Sequence, residues 1–204
     1  MRKLILASAS PARLATLRAA GVDPDVIVSG VDESQVHESD PASLVTRLAE
    51  LKADAVQARV RDDPELGARA GWLLACDSML ELDGEVLGKP VDAADTVRRW
   101  RRMRGRSGVL HTGHVLVDLD TGQTPTRSVA TTVHFADVAD EEIEAYVGTG
   151  EPQQVAGAFT LDGLGGAFVT GIEGDHHNVV GLSLPVLREM FAELGVRWTD
   201  LWSG

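Results

Sequence analysis

The chain has 204 residues, of which 44% are hydrophobic and 25% charged, a balance that supports a buried core and excludes a disordered chain. Its 19 Lys and Arg stand against 31 Asp and Glu, a net charge of -12 at pH 7. Such a field repels nucleic acid and anionic membranes over most of the surface, so neither is an expected partner.

In chain order, the apolar run 4–7 is too short for a signal peptide and reads as a strand. It feeds a helix over 11–20, with Ser10 as N-cap, Pro11 at the first helical position and Gly21 as the stop. A turn at Asp23-Pro24 leads to a short extended segment, 26–28, and then to a polar loop over 30–40. The next helix is expected over 41–60. Leu44, Leu48 and Val56 fall on one stripe of it at four-residue steps, and Lys52 occupies the missing step.

Residues 72–76 read as a buried strand ending at Asp77, and 79–82 and 86–87 flank an Asp83-Gly84 turn signal that Gly88-Lys89-Pro90 closes. A helix over 91–103 and strands over 109–119 and 129–135 follow. A helix over 140–147 carries acidic residues in its first turn, where the macrodipole favours them. Glycines crowd 148–174 around a strand at 167–172, and a last helix covers 185–194. Strands alternating with helices predict an α/β protein of one domain, 1–204, with two lobes. No stretch reaches the roughly 18 apolar residues of a membrane span, and the single cysteine, Cys76, cannot form an internal disulfide, so a cytoplasmic protein is expected.

Several residues can carry chemistry. The turn from Ser8 through Ser10, Ala12 and Arg13 is either an anion site at a helix start, where N–H groups and the dipole favour phosphate, or an ordinary Ser cap beside a solvated Arg. Asp77 ends an apolar strand, where it can hold a divalent cation or take a proton from water, or simply serve a turn. Cys76 beside it reads as buried filler. Only three of the 19 basic residues are Lys: Lys3, Lys52 and Lys89. A Lys retained among so many Arg is either a chance survivor or a place where a compact ammonium is wanted. Lys52, on an apolar stripe, must snorkel or meet a negative partner, and Lys89 sits on a stiff turn that can aim it at a ligand. Neither His111 with His114 nor His176 with His177 supplies the three or four converging ligands of a zinc site. The run 98–106, RRWRRMRGR, holds six arginines and no acid. It is expected to be a solvated face that pairs with acids elsewhere, although it can also bind nucleic acid or an acidic partner.

Together the segments LILASASPARLATLRAAG (4–21), VDES (31–34), RLAELKA (47–53), ACDSMLELDGEVLGKP (75–90), TGEPQQVAGAFTLDGLGGAFV (149–169) and NVVGLSLPVL (178–187) resemble the Maf family of nucleoside triphosphate pyrophosphatases in nearly the whole chain. The resemblance implies an elongated mixed-sheet α/β fold of two lobes around a central cleft, similar to inosine triphosphate pyrophosphatase-like folds. It also implies metal-dependent hydrolysis of a nucleoside triphosphate to the monophosphate and pyrophosphate, and a homodimer. By motif, Asp77 matches the family's proton acceptor, while Ser8, Arg13, Glu33, Lys52 and Lys89 match its polar active-site positions. The chain departs from the common pattern at Ala12, Ser78 and Asp162, three places linked in the family to nucleobase choice. A histidine common near Gly108 is also absent.

The expected mechanism has Mg²⁺ or Mn²⁺ bridging the triphosphate and the carboxylates of Glu33 and Asp77, while a water activated by Asp77 attacks the α-phosphorus. Arg13, Lys52 and Lys89 stabilise the phosphates, and Ser8 and Ser10 add donors. An ionised carboxylate only accepts hydrogen bonds, so Asp162 facing a base favours CTP or a guanine nucleotide over UTP. The rival readings are a phosphatase releasing orthophosphate and a non-catalytic cell-division or nucleic-acid-binding protein that uses the Arg98 to Arg106 run.

Overall fold

A computed structural model describes residues 2–33, 36 and 38–202; Ser34 of the VDES segment lies outside them. The strands are β1 (Lys3–Leu6), β2 (Asp25–Val26), β3 (Ala70–Leu82), β4 (Glu85–Leu87), β5 (Ser107–Asp118), β6 (Thr126–Phe135) and β7 (Val169–Glu173). They form a mixed sheet in the order β2-β1-β3-β5-β6-β7, with β4 paired to β3. β1 runs parallel to both β2 and β3, whereas β4 is antiparallel to β3 and β7 to β6. The helices are α1 (Pro11–Ala19), α2 (Pro41–Asp62), α3 (Pro64–Arg69), α4 (Ala93–Met103), α5 (Asp140–Gly148), α6 (His176–Val180) and α7 (Leu184–Glu193). Among the described residues no helix is long and apolar enough to cross a membrane. The chain divides into two compact units, the first made of Met1–Asp77, Thr112–Val129 and Gly181–Gly204, the second of Ser78–His111 and Ala130–Val180.

In the first unit β3 is buried at every position from Ala70 to Asp77, as befits a strand covered on both faces. Alternation sorts its side chains. Leu73 and Ala75 join a core with Ala49, Ala53, Val56 and Val60 of α2, while Trp72, Leu74 and Cys76 pack with Leu17 of α1 and Leu187, Met190 and Phe191 of α7. The same period of two carries Asp77 to the α2 side. Gly113 of β5 lets α2 come close, because a Cβ there would stand 2.3 Å from the carbonyl oxygen of Val45.

The second unit is centred on Trp100, which is fully buried and donates its ring N–H to the Ala158 carbonyl at 2.8 Å. Phe135, Tyr146 and Phe168 meet it edge-on, with centroids 5.9, 5.5 and 5.7 Å away, a favoured aromatic geometry. These four aromatics thus build core. Asp83 and Gly84 both take positive φ, 56° and 76°, and close the β3–β4 hairpin as their dipeptide signal predicts.

Several expectations are corrected. β3 does not end at Asp77 but continues to Leu82; a polar pair, Asp77-Ser78, interrupts the apolar run without interrupting the strand. The buried stripe of α2 is Val45, Leu48, Ala49, Ala53, Val56 and Val60, and Leu44 is only half-buried. Two short helices were not anticipated, although α3 carries an evident start, with Asp63 capping the backbone of Glu65 and Leu66 at 3.0 Å and Pro64 at the first position. α4 begins at Ala93 rather than 91, after its cap Asp92, and the strand expected at 167–172 is Val169–Glu173.

Candidate active site

β1 ends in a turn whose hydroxyls organise the start of α1. Ser10 accepts from the Arg13 backbone N–H at 3.4 Å, and the Ser10 N–H donates to Ser8 Oγ at 3.1 Å. Arg13 does not lie solvated. It is 8% exposed and donates from Nε to the Gly181 carbonyl at 2.7 Å and from Nη1 to Ser8 Oγ at 3.1 Å and the Cys76 carbonyl at 2.8 Å. Three of its five N–H donors therefore tie the turn, β3 and the chain before α7 into one frame. Sequence reasoning saw the charge at this position but not these acceptors, two of which are backbone atoms far along the chain.

Lys52 resolves the question raised by its place on the apolar stripe. Its side chain is 12% exposed, and its ammonium pairs with Glu33 Oε1 at 2.7 Å and, more closely, with Asp77 Oδ1. Two carboxylates from β3 and the polar loop thus share one cation on α2. Asp77 is 5% exposed, and its Oδ2 is buried with no hydrogen-bond partner among the described residues. Burial pushes the Asp77 carboxyl above the ordinary aspartate range; Lys52 and Arg13 oppose that rise. Cys76, fully buried, has its thiol pushed up to about 11, chiefly by burial, so it behaves as the inert filler expected.

The first unit thus assembles Ser8, Ser10, Arg13, Glu33, Lys52 and Asp77, with half-buried Ala12 on α1. Ser78, Lys89 and Asp162 belong to the second unit. Lys89 is exposed on a turn pinned at Gly88, whose carbonyl accepts from Arg99 Nη1 at 2.6 Å and from the Gly157 N–H at 3.2 Å. Asp162 is exposed on a loop organised by Glu151, which sequence reasoning passed over. The Glu151 carboxylate accepts from Tyr146 Oη at 3.0 Å, from the backbone of Leu164 and Gly165 at 3.1 Å each, and from Thr160 Oγ1. Burial alone would raise its carboxyl, but these hydrogen bonds outweigh it and hold the group below the usual range.

The arginine run meets acids within its own unit. Arg98 and Arg99 pair with Asp95 at 3.1 and 2.8 Å, Arg101 and Arg104 with Asp140 at 2.9 and 2.7 Å, Arg102 with Glu85 at 2.8 Å, and Arg106 with Asp83. It is the internally paired face that was expected. His111 pairs with Glu81 at 3.0 Å and His114 accepts from the Ser183 N–H at 2.9 Å, so each is engaged elsewhere.

The family model described as Maf-like protein matches residues 3–194. A nucleoside triphosphate pyrophosphatase of Salinispora tropica is 58% identical over 201 residues, spanning 98% of this chain and 88% of the relative. One of Streptomyces avermitilis is 51% identical over 202 residues, spanning 99% and 95%. Among solved structures, the Staphylococcus aureus Ham1 protein aligns with 67% of this chain and 73% of its own at 18% identity and a TM-score of 0.42. On the extent of the family match and the identity to these relatives, the chain belongs to the Maf-like protein family.

Proposed function

We propose that the protein hydrolyses a nucleoside triphosphate between its α- and β-phosphates, releasing the monophosphate and pyrophosphate. The observation that carries this reading is the Glu33–Lys52–Asp77 arrangement, with one buried oxygen of Asp77 left without a partner among the described residues, in a chain whose relatives bear that activity in their names.

Asp77 has two oxygens in different circumstances. Lys52 holds Oδ1 and so fixes the carboxylate's orientation, while Oδ2 remains to accept. In the proposed reaction a water loses its proton to Asp77 as its oxygen bonds to the α-phosphorus, and the bond to the bridging oxygen breaks to release pyrophosphate. A carboxyl raised by burial is a better base near neutral pH than an ordinary aspartate. Arg13 contributes positive potential beneath the Ser8–Ser10 turn and holds that turn against β3. Lys89 is assigned to the phosphates by motif.

The carboxylates of Glu33 and Asp77 are hard oxygen donors, a set suited to Mg²⁺ or Mn²⁺. Such an ion, when bound, supplies charge neutralisation to the phosphate oxygens. Base selection is assigned to Ala12, Ser78 and Asp162, and the acceptor-only carboxylate of Asp162 favours CTP or a guanine nucleotide over UTP.

The test is a panel of normal and modified nucleoside triphosphates with Mg²⁺ or Mn²⁺, detecting pyrophosphate and orthophosphate separately. Pyrophosphate release that a chelator abolishes, and that Asp77→Asn lowers by about 10²- to 10⁴-fold without loss of fold, is expected. Orthophosphate as the first product, or an Asp77→Asn variant with full turnover, overturns the reading. Faster UTP than CTP or GTP hydrolysis overturns the role of Asp162 alone.

A further inference from the structure

We propose a second metal site in this chain, a zinc-class site formed by Asp175, His176 and His177 where β7 gives way to α6 in the second unit. The paired histidines lack a third ligand when read as a pair, and the turn supplies it. One ligating atom from each of the three residues lies within 4.8 Å of the others. The two imidazole rings stand side by side, their centroids 3.8 Å apart and their planes 38° from parallel.

The turn is held by several contacts, and His177 Nδ1 already lies 3.4 Å from Asp175 Oδ1. Gly174 takes a φ of +121°, which a side chain would resist. The Asp175 carbonyl accepts from Thr131 Oγ1 at 3.1 Å, and Asp175 Oδ1 accepts from the His177 N–H at 2.9 Å. Asp175 Oδ2 is buried with no hydrogen-bond partner among the described residues. A buried carboxylate oxygen without a donor is unfavourable, and a cation at this position removes the deficit. His176 is exposed, so the site opens to solvent.

The donor set decides the class of ion. Two imidazoles and one carboxylate suit zinc, nickel or copper, whereas the all-oxygen pair Glu33 and Asp77 suits magnesium or manganese. The ion clasps the β7–α6 junction next to Asn178, whose amide donates to the Leu110 carbonyl at 3.2 Å and to Thr131 Oγ1 at 3.1 Å. The site is therefore a staple of the second unit rather than a reaction centre.

The experiment titrates Zn²⁺, and Co²⁺ as a visible probe, into chelator-stripped full-length protein by calorimetry and absorption spectroscopy. The comparison is wild type against Asp77→Asn and against a His176→Ala/His177→Ala double variant of verified fold. Uptake of one Zn²⁺ by wild type and by Asp77→Asn, weakened about tenfold or more in the double variant and unaffected by excess Mg²⁺, is the expected result. No uptake at micromolar Zn²⁺, uptake unchanged in the double variant, or uptake lost in Asp77→Asn overturns the proposal.

Discussion

Lys52 does more than neutralise a charge. Its ammonium sits between Glu33 and Asp77, so without it two carboxylates face each other with Asp77 still buried. Burial already lifts the Asp77 carboxyl, and Lys52 is the largest influence opposing that rise. Removing Lys52 therefore raises it further. Hydrolysis needs the ionised carboxylate, so Lys52→Met should move the acid limb of the pH–rate profile to higher pH. It should also lower turnover, measured at saturating metal; an unmoved limb would separate Lys52 from Asp77. The sequence made Lys52 conspicuous, since an ammonium on an apolar stripe requires a partner. The structural work of Arg13 was not legible there, because its acceptors at Cys76 and Gly181 lie 63 and 168 residues away.

At the scale of elements, α2 and β3 set the site. Asp77 faces α2 through strand alternation, and Gly113 leaves no Cβ between β5 and the Val45 backbone of α2, the helix that carries Lys52. Gly113→Ala should push α2 outward, lower stability by about 1–3 kcal/mol in denaturant titrations and reduce turnover more than the lost stability explains. The glycine within a predicted strand was the available signal of close backbone approach. By contrast, β3 was misjudged because polarity at Asp77 looks like exposure until its buried partner is known. On and just after α4, Arg101 and, with it, Arg104 hold the Asp140 carboxyl below the ordinary value of 3.8. A depressed carboxyl contributes stability above its unfolded value and loses it as pH falls through the folded one. Arg101→Gln/Arg104→Gln should therefore melt below wild type at neutral pH, with the gap closing in acid below about pH 4, and should hydrolyse nucleotides at the wild-type rate.

Over the whole molecule, the net charge of -12 misleads if read as an average. Cations are placed individually: six arginines on and after α4 pair with acids of their own unit, while Lys52, largely covered, and buried Arg13 lie beside Asp77. The α/β class, most of the elements and the family were legible because separated motifs recur in order along the chain. Contacts such as Glu151 with the 160–165 loop were not, since they depend on how distant loops return. The most direct test of the central claim is hydrolysis in heavy-oxygen-labelled water with Mg²⁺, followed by mass analysis of both products. Attack at the α-phosphorus predicts one labelled oxygen in the nucleoside monophosphate and an unlabelled pyrophosphate; label in the pyrophosphate, or labelled orthophosphate as the first product, would contradict it.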